Sequence, residues 1–419
     1  FLGTLDELPS GERGSWVLLH EHFEFFDRML GLVQHDCQGS SVKIHMYDLQ
    51  EFRQLTTSTL ICSNKMAQCA ASVHITQYLA SGTCGKASPD EADFFFLPAY
   101  EACYNETACA NNDTVACYPA SLRVEDLPHF HRRSGRDHIF NFGCNIGRFE
   151  EPLIHSIRDS VWVTVESYQA ASMLAWPTLW KDVVIPGYIP KWRSKAMRQF
   201  ALPMYKRAVL LFFHGHSSLT HAAYELSPLA EVRTRVLTEL VNYTDVDVGP
   251  PVQEYLRRAG RAKFCLVPAG LTAWTIHLYE CFFIGCIPVI LSDELTLPFA
   301  SRVPWHLLSV KYRVSKPLEE IREELAAVPG VVLAQMKDLL LEHACWFDYS
   351  RGWGRDPDGP ACSPYKALLE QLEQRAEVLR RVPPEELATQ HGRFWGPPVV
   401  GGGLELRASP DRVVGSQAS

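Results

Sequence analysis

The feature that most constrains this chain is a series of short, unbroken apolar runs. They are VKIHMYDL (42–49), ADFFFLPAY (92–100), HIFNFG (138–143), VWVTVE (161–166), VVIPGY (183–188), AVLLFFHG (208–215), AKFCLVPAG (262–270), IPVILSD (287–293) and LLSVKYR (307–313). Each has the length of a strand, and many do not alternate with polar residues. Strands apolar at consecutive positions are covered on both faces, the habit of parallel sheets. Between the later runs, LAEVRTRVLTELV (229–241) and PLEEIREELAAV (317–328) have the 3.6-residue period and charged outer face of covering helices. The alternation of strand and helix on both sides of a break predicts an α/β protein with two doubly wound domains.

The break is PKWRSKAMRQFALPMYKR (190–207), basic, bounded by prolines and without clear periodicity, which reads as an inter-domain connection. It divides the chain into an N-terminal extension (1–40), a first domain (41–200), a second (201–350), a helical extension (351–395) and a flexible tail (396–419). In the extension, SPYKALLEQLEQRAEVLRRV is amphipathic, with Ser363 placed as N-cap and Pro364 at the first helical position. The tail is rich in Gly, Pro and Ser.

With 419 residues, 47% of them hydrophobic, the chain has ample material for two cores, and its net charge of −8 argues against nucleic acid as the main partner. No apolar run approaches the ~18 residues of a membrane span. Because the chain begins at Phe1, a signal or anchor upstream is expected to have been removed. Eight of the thirteen cysteines fall in the first 144 residues, none with C-x-x-C spacing. They read either as buried thiols or, more sharply, as a disulfide-stapled N-terminal half in an oxidising compartment. The sequons at Asn105, Asn112 and Asn242 favour the second reading. An odd count leaves at least one cysteine free or paired between chains.

Walker, G-x-G-x-x-G, G-x-S-x-G and H-E-x-x-H motifs are absent, which removes most support for dinucleotide and metalloprotease chemistry. Asp245-Val-Asp247 is a D-x-D, whose hard oxygens suit a divalent metal on a diphosphate, but it reads first as part of a polar loop. His129-x-His131 and His214-x-His216 lack the carboxylate or thiolate that would complete a metal shell. The stretch 262–286 is more pointed. A buried strand ends in Pro268-Ala269-Gly270, and a helix is expected from Thr272 or Ala273, placing main-chain N–H groups at the carboxyl edge of the sheet, where phosphates bind. On that helix, which is apolar all round, His277 and Glu280 share a face. The pattern leaves Glu280 open between a ribose diol and a buried Arg.

AKFCLVPAG, the helix with LYE, GCIPVILSD and LPFASRVPW together closely resemble the C-terminal signature of exostosin-like glycosyltransferases (family 47). VKIHMYDL and SPDEADFFFLPAY (88–100) resemble two N-terminal blocks of the same family, so the likeness spans about 40–350. It implies a GT-B fold: two Rossmann-like domains facing a cleft, the first for the acceptor and the second for the donor. It also implies inverting transfer of a sugar from a nucleotide sugar, a UDP-sugar foremost, to a glycan or glycoprotein hydroxyl, in a Golgi-luminal type II membrane protein. Under it, Glu280 becomes a ribose ligand. The loop Pro268, Ala269, Gly270 and Thr272, with Arg233, His214 and His216, becomes the donor site. The departure of His214 and His216 from the family pattern keeps a non-catalytic, glycan-binding subunit as the alternative.

Inversion needs a general base from the first domain as the diphosphate leaves. Glu101 ranks first and Asp48 second, with Asp93, His131 and Glu166 behind them. No cofactor is expected, a divalent metal stays possible through Asp245 and Asp247, and a homo- or heterodimer is allowed.

Overall fold

The computed structural model describes residues 35–47, 68–97, 124, 127–143, 151–165, 181–353 and 362–381. Ten strands form two five-stranded, all-parallel sheets, as the unbroken apolar runs predicted. The first contains β1 (Ile44–Met46), β2 (Phe94–Phe96), β3 (His138–Phe142), β4 (Val161–Thr164) and β5 (Val183–Val184). Its order is β1-β2-β3-β4-β5. The second contains β6 (Val209–His214), β7 (Val246–Gly249), β8 (Ala262–Pro268), β9 (Ile287–Leu291) and β10 (Val310–Lys311), in the order β10-β9-β8-β6-β7.

The helices are α1 (Ala71–Ser81), α2 (Glu151–Ser156), α3 (Lys191–Phe200), α4 (Glu231–Glu239), α5 (Tyr255–Ala259) and α6 (His277–Ile284). They continue with α7 (Trp305–Leu308), α8 (Leu318–Ala326), α9 (Gly330–His343) and α10 (Pro364–Arg381).

The period of two explains why the runs are apolar throughout. Phe94, Phe96, Ile139, Val161 and Val163 join one buried cluster, while Phe95, Phe140, Phe142 and Trp162 join another on the opposite face. The first cluster continues into the second sheet through Leu211, Phe213, Phe264 and Val289. Burying each such side chain is worth roughly 1.5–3 kcal/mol, so these interleaved faces dominate the stability of the fold.

Several expectations change on contact with the structure. The connection 190–207 contains a helix, α3. Only Ser194 and Met197 are buried on it, a stripe too narrow to show as periodicity. Of the D-x-D stretch, Val246 and Asp247 belong to an edge strand, β7, paired with β6, and Asp245 lies in the turn before it. The helix expected from Thr272 begins at His277, so Glu280 lies in its first turn. Thr275 explains the delay: it is buried and its hydroxyl accepts from Arg233, which holds the segment before α6 as a loop.

Ser363 does cap α10, its Oγ accepting from Lys366 N–H at 3.0 Å. That helix is no outlying extension, because it crosses back to the first sheet. Arg375 donates to the carbonyls of Lys181 (2.6 Å) and Asp182, Tyr365 stacks on Tyr78, and Arg380 pairs with Asp93.

Disulfides staple both halves rather than the N-terminal one alone: Cys37–Cys84, Cys265–Cys286 and Cys345–Cys362. Cys69 is disulfide-bonded too, and Cys281 is a buried free thiol. No helix among the described residues is long and apolar enough to cross a membrane.

Candidate functional site

The second sheet changes direction once. From β6 the chain moves outward to β7, then returns past β6 to β8 and continues to β9 and β10. The loops leaving the carboxyl ends of β6 and β8 therefore diverge, and such a switch point is where open parallel sheets hold ligands. Among the described strands the first sheet has no such reversal.

The two loops run over 215–230, after β6, and 269–276, after β8. Arg233, on α4, ties them together. Its Nε donates to the Ala269 carbonyl (2.9 Å), Nη2 to Pro268 O (3.4 Å) and Thr275 Oγ1 (3.3 Å), and Nη1 to His216 O (3.2 Å) and the Tyr224 hydroxyl (3.4 Å). All five guanidinium donors have partners, and the side chain is buried. Burial pulls its pKa down, partly offset by Tyr224. The expected cationic partner of a diphosphate is thus, in this structure, a clip between strand ends. Gly270 permits the clip, since a Cβ there would sit 2.8 Å from Arg233 Nη2.

The clip engages carbonyls and leaves amides. Ala269 N–H donates to Leu291 O and Gly270 N–H to Thr272 O, but among the described residues Leu271, Thr272 and Ala273 N–H donate to no protein group. Three adjacent free amides at a switch point, ahead of a helix N-terminus, can receive phosphate oxygens.

The other expected site residues separate. His214 is buried, its ring nitrogens facing Pro250 O (2.7 Å) and Asp247 Oδ1 (3.0 Å), so it braces the edge strand. Gly249 makes room for that ring, because a Cβ would lie 2.7 Å from it. His216 is exposed on the loop. Asp247 also accepts from Arg258 (2.8 Å), and Asp245 is gripped by both ends of the Arg322 fork at 3.0 and 2.9 Å. The two D-x-D carboxylates are engaged by different arginines. No group of three or more metal-ligating side chains occurs among the described residues.

Glu280 is 3% exposed, and Arg193 Nε reaches its Oε1 at 2.8 Å from α3. Its Oε2 faces His277 Nδ1 at 3.3 Å, and the same nitrogen meets the Tyr255 hydroxyl at 2.7 Å. Burial alone would push the carboxyl up, but Arg193 and His277 outweigh it and hold Glu280 at about 2. The cavity beside it, lined also by Met197 and Cys281, is about 10 Å³, room for one water. Of the two partners that the pattern left open, an Arg is in contact with Glu280, and it is partly exposed rather than buried.

Asp48, Glu101 and Glu166 lie outside the described residues, as do Asn105 and Asn112. Asn242 is exposed in a turn. Asp93 is held by Arg380 at 2.7 and 2.6 Å and by Lys43 N–H. His129 stacks on Phe95 and His131 is exposed. Sequence reasoning passed over Arg193, Tyr255 and His221. The one signal for Arg193 was its place in a run of six cations with no acid, and Glu280 lies 87 positions further along the chain.

A model of the exostosin GT47 domain matches residues 38–326, more than half of the chain. The chain belongs to the exostosin GT47 domain family. It is similar to the probable glucuronoxylan glucuronosyltransferase IRX7 of Arabidopsis thaliana, 28% identical over 346 residues that cover 74% of this chain and 73% of that one. It is also similar to the probable beta-1,4-xylosyltransferase IRX10 of the same plant, at 26% over 324 residues, covering 74% and 77%. A solved pneumococcal O-GlcNAc transferase, GtfA, in complex with UDP and GlcNAc, aligns with a TM-score of 0.26 and 9% identity over 59% of this chain and 58% of that one. At that score the likeness carries no weight. This GT47 domain is a glycosyltransferase.

Proposed function

We propose that this GT47 domain transfers a uronosyl or pentosyl residue from a UDP-sugar to a glycan hydroxyl with inversion, seating the diphosphate between the β6 and β8 loops. The observation that carries this is the row of free amides at Leu271, Thr272 and Ala273, at the switch point and inside the family-matched segment. The choice of sugar follows the names of the two plant relatives.

In this reading, charge developing on the leaving diphosphate meets preorganised N–H dipoles that cost no reorganisation at the moment of reaction. Arg233 contributes by fixing both loops. An acceptor hydroxyl attacks the anomeric carbon from the opposite side in one in-line step, losing its proton to a carboxylate of the N-terminal half, Glu101 or Asp48. In this reading Asp245 and Asp247 hold no metal, because arginines engage their carboxylates. The disulfides suit an oxidising lumen. On this reading the chain is an N-glycosylated Golgi-luminal enzyme.

The test is a panel of UDP- and GDP-sugars, UDP-glucuronic acid and UDP-xylose first, with and without glycan acceptors. Nucleoside diphosphate release that persists in excess EDTA, with inverted anomeric configuration by NMR, is the expected result. Neither binding nor release with any donor would overturn the reading. Binding without turnover would favour a glycan-handling subunit.

A further inference from the structure

The β6 loop pairs His216, which the family resemblance placed in the donor site, with His221, which it did not. His216 and His221 are both exposed, with ring centroids 5.3 Å apart, and Tyr224 lies 6.2 and 5.9 Å from them. The backbone fixes the pair from below. The His216 carbonyl accepts from Arg233, and His221 Nδ1 accepts from Ala223 N–H at 3.2 Å. Ser227 Oγ ties the far end of the loop to the Gly270 and Leu271 carbonyls at 3.3 and 3.2 Å. The imidazole pair therefore belongs to the same clipped unit as the free amides of 271–273.

From these positions we propose that His216 and His221 form a proton-coupled clamp for the diphosphate: binding of a nucleoside diphosphate draws a proton onto the pair. The inference rests on the donor site proposed above and adds to it a charge source and a pH dependence. Arg233, the nearby permanent cation, has its five donors committed to the two loops. The mouth of the crevice thus has amide dipoles but needs a formal charge for a group that carries two or three negative ones, and two imidazoles are available to supply it.

The groups facing His216 favour its neutral form before the ligand arrives. Partial desolvation, then His221 and then Arg233, lower the His216 pKa. From the pair's own loop the titratable neighbour is Tyr224, from α4 it is Arg233, and the β8 loop offers hydroxyls at Thr272 and Thr275. Glu225 and Glu231, the acids of this loop and helix, are exposed and make no ion pair with either ring. An arriving phosphate reverses the balance, because an anion beside an imidazole favours the charged form. No bond is made or broken: one solvent proton is taken up per clamp closed.

The experiment is calorimetry of UDP and, separately, inorganic pyrophosphate binding to the whole chain, in PIPES and in Tris between pH 6 and pH 8. Wild type should take up a fraction of a proton approaching one, and UDP affinity should weaken as pH rises, by at most about tenfold per unit. Pyrophosphate should show the same uptake, which assigns it to the phosphates rather than the base. H216Q and H221Q, at exposed positions, should keep the melting temperature and abolish the pH dependence while UDP still binds weakly. UDP binding with no proton uptake, or with the variants unchanged, overturns the clamp and leaves the donor site standing. No UDP binding to wild type overturns both.

Discussion

The two sheets use similar material and reach different ends. Each has five parallel strands of Val, Ile, Leu and Phe, covered by helices. In the first, one chain of polar groups closes on itself, although Gln77, Asn141 Oδ1 and Ser160 Oγ stay buried without a partner among the described residues. Arg132 Nε donates to Asp137 (2.9 Å), Asp137 faces His138 Nδ1 (3.0 Å), and His138 Nε2 meets the Tyr47 hydroxyl (2.8 Å). In the second, Arg233 is equally buried but binds strand-end carbonyls, and the amides just beyond them are left unused. Strand order makes the difference. Described strands laid down in sequence leave no divergent loops, whereas one reversal opens a crevice whose polar groups cannot all pair internally. The Asp137–His138–Tyr47 cluster is thus structural, while the Arg233 clip leaves amides ready for a ligand.

The largest expected effect falls where α3 packs on α6. Arg193→Ala leaves the Glu280 carboxylate buried without its guanidinium, at a cost of about 3–5 kcal/mol in chemical denaturation. Glu280→Gln should cost less, because the Arg193 side chain is 31% exposed and can turn to water. Equal costs would remove the asymmetry argued here. The pair also has a pH signature. The folded pKa of Glu280, about 2, lies below its ordinary 4.5. Its contribution is therefore complete above pH 4.5 and is lost as pH falls toward 2, in total about 3 kcal/mol. Glu280→Gln should flatten that window.

The same contrast shows how much could be read in advance. Parallel sheets, nine of the ten described strands, the Ser363 cap and the loop at 268–270 were legible because each rests on residues close together in the chain. The partner of Glu280 was not, since Arg193 sits on a helix burying only Ser194 and Met197. The start of α6 was missed because Thr275 is detained by an arginine some forty positions earlier. The crossing of α10 back to the first sheet was hidden for the same reason: amphipathicity says that a helix is covered, never by what. Arg233 was identified as a cation of the site, while its carbonyl partners become visible only in three dimensions.

Arg233→Lys sharpens the comparison next. Lysine keeps the charge but has three donors on one atom in place of a planar fork, so it cannot bridge both loops. Stability should fall by about 2 kcal/mol, since several buried carbonyls lose a charged donor. UDP affinity should drop by about tenfold or more, although the substituted side chain need not touch the nucleotide. Unchanged affinity with lowered stability would mean that the loops hold their positions without the clip. The crevice would then be a product of strand order alone.

The smallest effect belongs to the first sheet. Tyr47→Phe removes the hydroxyl that donates to His138 Nε2 and leaves a buried acceptor unpaired, costing about 1–2 kcal/mol. UDP affinity should stay at the wild-type value, in contrast to Arg233→Lys. The acid limb adds a second readout. Burial lowers the His138 pKa, against the pull of Asp137, so the folded state binds fewer protons than the unfolded chain below the ordinary 6.5. Wild type therefore loses stability as pH drops beneath that value. The Tyr47 hydroxyl stabilises the neutral ring, so without it the folded pKa rises and this loss shrinks. Urea midpoints at pH 7 and pH 5 decide the point: the gap between them should narrow in Tyr47→Phe. A gap that stays the same or widens would show that this hydrogen bond does not hold the ring neutral, and the closed cluster would lose its last link.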